Sequence, residues 1–194
     1  DKMAVDSRLV ESPRNLGFSG GVNLASEHAQ NKYILLLNPD TILSYQCIDR
    51  MIHHFSSAKN VGAVGVTADY ASGVHIITEY LSASEVNGRS VDEISDILAQ
   101  KGLAPVSTKL LIGFCLMMER SVFERIGRLP AQLFAGSDDL YLSWKLANLG
   151  YKLLIASDVF IQHIGQVSFQ QLSTAKRVML TWQSREVLYE MLYE

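Results

Sequence analysis

The sequence predicts an α/β domain with a mostly parallel central sheet flanked by helices, on three observations. Residues 34–37 are four consecutive large aliphatics without polar alternation, the pattern of a strand covered on both faces. A helix-period segment follows at 44–55, and then a second apolar run, Val61 to Val66. Strand, helix, strand in that order is the pattern of a parallel crossover.

Size and composition narrow the function. A chain of 194 residues, 48% hydrophobic and 19% charged, fits one domain with a core large enough to stand without disulfides. A net charge of −3 supplies no general attraction to nucleic acid, so no nucleic-acid partner is expected. Cys47 and Cys115 both lie in apolar periodic segments, which predicts free buried thiols and a reducing, cytoplasmic setting. No apolar run reaches the length of a membrane span, and the opening Asp-Lys-Met-Ala is unlike a signal peptide. Peripheral docking at the inner face of the cell membrane stays open.

Taken in order, the first dozen residues are polar. Asn15 to Asn23 is a glycine-rich turn that opens a helix to about residue 31, with Leu24, Ala25 and Ala29 for its inner side. Closely spaced glycines there bring backbone N–H groups near an anion, or simply make a turn. The first strand stops at Asn38-Pro39-Asp40. Proline cannot continue a central strand, so Asp40 is carried past the strand's carboxyl end, the ligand edge of open α/β sheets. Asp40 there can bind a hard cation or merely cap the turn.

Residues 44–55 carry Ile48, Met51, Ile52 and Phe55 at helical spacing, with His53 and His54 expected in solvent near the helix C-terminus. Residues 69–89 read as a loop in which His75 has no evident partner. Ser90 and Glu93 have capping-box spacing before a helix with the stripe Ile94, Ile97, Leu98. Residues 109–118 read as one long strand interrupted by Gly113, and a short helix at 120–126 ends at Gly127.

Asp138 and Asp139 open a helix phased by Leu142, Leu146 and Leu149 and stopped by Gly150. The helix dipole by itself accounts for acids at that end. Residues 151–161 read as one or two strands around Ser157-Asp158 that deliver His163 and Gly165. By itself such a histidine reads as structural. The last helix, 174–193, is expected to bury Val178, Trp182, Val187, Leu188, Met191 and Leu192. Residues 171–194 would finish the core or form a homodimer contact.

The order and kinds of these features are more specific than any one of them. Asn15-x-Gly17-x-x-Gly20-Gly21-x-Asn23 precedes Tyr33-Ile-Leu-Leu-Leu-Asn38-Pro39-Asp40-Thr41. Gly113, Glu119-Arg120-Ser121-Val122-Phe123 and Ile126-Gly127 follow. Next come Asp138-Asp139, Trp144-Lys145-Leu146, Gly150-Tyr151 and His163-x-Gly165-x-x-Ser168. With these motifs the chain resembles the family 2 glycosyltransferases of the GT-A (nucleotide-diphospho-sugar transferase) fold, particularly their bacterial rhamnosyltransferase-like branch.

The resemblance implies an inverting, metal-dependent transferase that moves a sugar from a UDP- or dTDP-sugar donor to a saccharide or lipid-linked glycan acceptor, building surface polysaccharide. Asn38-Pro39-Asp40 matches the family's metal signature, with Asp40 as ligand to Mg²⁺ or Mn²⁺ and His163 as a further metal ligand. Asp139 matches the general base and Asp138 its neighbour toward the acceptor. Asn15, Gly17 and Asn23 match the stretch lining the nucleotide pocket.

There are departures. The family opens with base-binding strands that precede the first residues here, so an N-terminal portion is expected beyond this sequence. Leu129-Pro130-Ala131 replaces Phe-Asp-Glu, Tyr141 replaces an acid, and Lys145 replaces an Arg, losing a bidentate fork. These departures motivate an alternative, a non-catalytic GT-A-like module that binds a nucleotide or glycan or acts as a scaffold. A glycoside hydrolase using Asp138 and Asp139 is disfavoured, because adjacent carboxylates seldom flank a bond at the required separation.

Overall fold

The computed structural model describes residues 8–165 and 172–193. Helix α1 (Gly17–Ser26) leads to β1 (Tyr33–Leu37) and the short β2 (Thr41–Leu43), then α2 (Cys47–Ser57) and β3 (Val61–Ala68). Two 3₁₀ turns and α3 (Ala83–Val86) lead to α4 (Val91–Gln100), β4 (Val106–Thr108), β5 (Cys115–Glu119) and α5 (Arg120–Arg125). Helix α6 (Asp138–Asn148), β6 (Lys152–His163) and α7 (Thr174–Tyr193) complete the chain. Ser168, the end of the last sequence motif, lies outside the described residues.

The sheet runs β1-β5-β3-β6-β2, with β4 also on β6, and its polarity corrects the expectation of a mostly parallel sheet. Among the described strands only β3 and β6 pair in parallel; β5 runs antiparallel to both β1 and β3, and β2 and β4 antiparallel to β6. The strand-helix-strand pattern gave the direction of β1 and β3 correctly, but β5 inserts between them and reverses. As the edge strand of this sheet, β1 is only half-buried, with Leu37 40% exposed. Both of its faces are nevertheless covered, as expected: Ile34 and Leu36 pack on one core cluster, Tyr33 and Leu35 on the other.

Strand β5 shows how the core is divided. Leu116 and Met118 join the cluster containing Phe123, Leu142 and Leu146, whereas Cys115 and Met117 join Met51, Val64 and Val66 on the opposite side. Alternate side chains of a strand point to opposite faces, so α5 and α6 cover one face and α2 the other. Full burial of a side chain such as Phe123 contributes about 2–3 kcal/mol. Cys47 and Cys115 are free and buried, as expected.

Several local expectations change. Residues 109–114 are not strand, because side chains take their amides: Leu111 N–H donates to Ser143 Oγ (3.0 Å) and Ile112 N–H to His75 Nε2 (3.1 Å). His54 is buried rather than solvated, with Nε2 2.6 Å from Asp158 Oδ1. The inner face of α2 buries Cys47, Met51 and His54, with the expected Ile52 and Phe55 packed against the same core, whereas Ile48 is exposed. Leu149 is also exposed, and α7 leaves Val178 and Trp182 in solvent while burying Ser184 and Leu188. The Ser90–Glu93 capping box is present.

Candidate active site

The end of β1 and the end of β6 meet through β2. Thr41 pairs with His163, and Ile164 N–H donates to the Asp40 carbonyl at 2.9 Å. This brings Asp40 Oδ1 to 3.6 Å from His163 Nε2. The other ring nitrogen, Nδ1, lies 2.9 Å from the Tyr70 carbonyl. A carbonyl only accepts, so Nδ1 carries the proton and Nε2 of the neutral ring presents its lone pair. Nε2 is buried and, among the described residues, has no hydrogen-bond partner.

Three further residues hold His163. Asp69 Oδ1 accepts from His163 N–H at 2.8 Å and from Tyr70 N–H at 2.9 Å. Phe114 stacks on the ring. Gly165, at φ +77°, is packed so closely under Tyr70 that a Cβ would overlap that ring. The donor set suits a hard or borderline divalent cation: one carboxylate and one imidazole oriented by a backbone carbonyl. Among the described residues no third His, Cys, Asp or Glu joins them, so such a cation would need substrate phosphate or water to complete its shell.

The second half of the site is the start of α6. Ser137, the residue before the acids, is buried in the left-handed region at φ 68°, a conformation that costs a non-glycine residue about 1 kcal/mol or more. Burial, and next the charge of Asp139, push the Asp138 carboxyl up to about 7. Burial raises Asp139 as well, against the opposing amides of Leu140, of Asp139 itself and of Gly113. Gly113 lies against both acids, since a Cβ there would stand 3.4 Å from Asp138 Oδ2 and 3.8 Å from Asp139 Cβ.

Residues 113 and 114 join the two halves. Gly113 faces the acids, while its neighbour Phe114 stacks on His163 and accepts the Asn38 N–H at 2.9 Å. Consecutive Cα atoms are about 3.8 Å apart, so the acid pair and the Asp40–His163 pair flank one turn of chain.

The glycine-rich stretch is placed differently. Asn15 Oδ1 accepts from Gly17 N–H at 2.9 Å, and Phe18 N–H donates to the Phe134 carbonyl at 3.0 Å, so two of the first amides of α1 are already satisfied. Gly17, at φ +68°, leaves no room for a Cβ against Phe134. Asn23 uses both ends of its amide on the Leu129 backbone, at 2.7 and 3.1 Å. Arg14, Asn15, Gly17 and Gly21 border a depression of about 230 Å³ that none of the four acidic and imidazole groups above lines.

Sequence reasoning missed Asp69, Tyr70, Phe114 and His75. Asp69 carried a usable signal, because it follows a buried apolar run as Asp40 does. The other three act through contacts distant in sequence.

Residues 3–127 match the model of glycosyl transferase family 2. The chain belongs to that family. No curated protein sequence matches it. Two solved structures share its fold. GalNAc-T7 with UDP, GalNAc and Mn²⁺ is 14% identical, with a TM-score of 0.57 over 78% of this chain and 31% of its own. The mannosyltransferase PcManGT from Pyrobaculum calidifontis, with GDP-Man and Mn²⁺, is 21% identical, with a TM-score of 0.55 over 80% and 39%. The fold of this family 2 chain is thus of the GT-A type, and the chain spans about a third of the length of these neighbours.

Proposed function

We propose that this chain forms the core of an inverting, divalent-metal-dependent glycosyltransferase. It moves a hexose or deoxyhexose, with rhamnose the favoured sugar, from a UDP- or dTDP-sugar to the acceptor of a growing surface glycan. The observation that carries this reading is the buried Nε2 of His163, without a hydrogen-bond partner among the described residues and 3.6 Å from Asp40, one turn of chain away from two acids of raised pKa. The Mn²⁺ and nucleotide named in the neighbours' structures support it.

Asp40 and His163 would hold the Mg²⁺ or Mn²⁺. When bound, that ion neutralises charge on the departing diphosphate. Asp139 accepts the proton of the acceptor hydroxyl as that oxygen bonds to the anomeric carbon. The bond from that carbon to the nucleoside diphosphate breaks on the opposite face, so the configuration inverts. Asp138, with a pKa of about 7, retains a proton over much of the neutral range and can donate it in a hydrogen bond to the acceptor. Work at the cytoplasmic face of a membrane belongs to the same proposal; no described helix is long and apolar enough to cross one.

Calorimetric titration of the full-length protein with UDP and dTDP, with and without Mn²⁺ and beside Asp40→Ala, tests the proposal. Metal-dependent binding that is lost in the variant is expected. Absence of binding by either nucleotide overturns it, and binding without any turnover favours the non-catalytic module.

A further inference from the structure

His75 belongs to neither half of the site, and no sequence motif includes it. It is 2% exposed, and both ring nitrogens are engaged. Nδ1 lies 2.8 Å from the Val66 carbonyl of β3, which can only accept, so Nδ1 donates. Nε2 is then left to accept, and it takes the Ile112 N–H at 3.1 Å. Burial holds the pKa of the ring below its usual value, against the pull of the Val66 and Leu110 carbonyls. Gly65 makes the space, since a Cβ there would come within 2.9 Å of the ring's Cε1.

The segment that His75 grips is the one that joins the two halves. Leu111 N–H is held by Ser143 on α6, Ile112 N–H by His75, and the Phe114 carbonyl by Asn38 at the end of β1. Between these anchors Gly113 meets the acids and Phe114 meets His163. The His75 ring also packs edge-on against Phe114, with centroids 5.6 Å apart at 73°. Without the His75 bond, nothing among these anchors ties Ile112 to the sheet.

We propose that His75 is a positioning residue: by fixing Ile112 to β3 it sets Gly113 against Asp138 and Asp139 while Phe114 lies on His163. Its catalytic consequence rests on the transferase reading, whereas its effect on the acids does not. A displacement of about 1 Å in a catalytic group costs on the order of 100-fold in rate. When His75 becomes Phe, the His163 ring keeps its bond to Tyr70, and Phe114 keeps both its Asn38 bond and an aromatic neighbour, so its stack on His163 and nucleotide binding should be spared.

The test compares His75→Phe, which fills the space without bonding, with His75→Gln, whose amide again offers one donor and one acceptor. In the full chain, His75→Phe is expected to lower kcat roughly 10- to 100-fold with donor KM nearly unchanged, and His75→Gln to restore most of it. Carbon-13 NMR of the carboxyls is expected to show the Asp138–Asp139 titration moved upward in His75→Phe, through loss of the Gly113 amide, and returned in His75→Gln.

Wild-type kcat together with an unmoved titration in His75→Phe overturns the proposal. So does a loss of kcat that Gln leaves unrepaired while the titration stays put. If wild-type protein transfers no sugar, the transferase reading fails, and the carboxyl titration alone decides the role of His75. Should His75→Phe fail to fold, ring nitrogen-15 shifts of the wild-type protein decide it: protonation at Nδ1 with a slowly exchanging Ile112 amide is expected, and protonation at Nε2 refutes the brace.

Discussion

Phe114 lies nearly flat on His163, with ring centroids 4.8 Å apart and planes 22° from parallel. Phe114 is 2% exposed, so one face of the imidazole is sealed from water, while Nε2 stands 3.6 Å from Asp40 Oδ1. An apolar cover of this kind orients a ligand and lowers the local dielectric around it. Phe114→Leu removes the stack with little loss of volume. Mn²⁺ affinity measured in the presence of UDP is expected to fall roughly tenfold, and an unchanged affinity would show that the stack serves packing alone.

Gly165 supports the same imidazole through Tyr70. At φ +77° and in contact with Tyr70, it allows the Tyr70 carbonyl to reach His163 Nδ1. Gly165→Ala is strained in its backbone and must displace the tyrosine ring. Loss of metal-dependent nucleotide binding is expected, with a smaller effect on thermal unfolding, and calorimetry beside a melting curve reads both.

Asp139→Asn keeps the shape and the acceptor oxygen for the Leu140 amide, which Asp139 Oδ1 receives at 2.8 Å, but it cannot take a proton. Removal of a positioned general base costs on the order of 10²–10⁴ in rate. Transfer should fall by that factor while metal-dependent nucleotide affinity stays within about twofold. Full activity in this variant would remove Asp139 from the mechanism.

Asp138 gives a pH signature. Its native pKa of about 7 stands above its ordinary value of 3.8 because burial, and then Asp139, oppose its charge. Between those values the native state holds a proton that the unfolded state has released, so stability falls as pH rises. Asp138→Asn carries no such proton. Its melting temperature should exceed wild type by an amount that grows from pH 4 to 7 and is level above, as scanning calorimetry across that range would show.

Local features of the site were legible in the sequence, and its supports were not. Proline after an aliphatic run placed Asp40 at a strand end, and the phase of Leu142 and Leu146 placed Asp138 and Asp139 at a helix start, because both signals lie within one turn or strand. The sheet's polarity was misread because an inserted antiparallel β5 leaves no mark on the β1-α2-β3 pattern. His75 was opaque for a similar reason: its partners Val66 and Ile112 lie 9 and 37 residues away. The apolar run 109–118 reads as one strand until Ser143 and His75 claim two of its amides.

His54 and Asp158, 104 residues apart, form the pair furthest from the sequence-based expectation of a solvated histidine. Asp158 sits in the β6 bulge, where the register skips from Ala156 to Phe160, and its carbonyl accepts from Arg50 at 2.9 Å. Burial raises the Asp158 pKa, but the hydrogen bond and charge of His54, with Arg50, more than offset this and leave it lowered. A lowered carboxyl pKa contributes stability that is complete above 3.8 and is lost as pH falls through the lower native value. Asp158→Ala strands His54 Nε2 in a side chain only 6% exposed. The expected cost is about 2 kcal/mol, that of a buried donor left without its acceptor. Asp158→Asn retains an acceptor and should cost only about 1 kcal/mol. Urea unfolding at pH 7 separates these values, and repetition well below pH 3.8 should bring wild type toward Asp158→Asn; equal stability of all three proteins at pH 7 would show that the pair contributes nothing to holding α2 on the sheet.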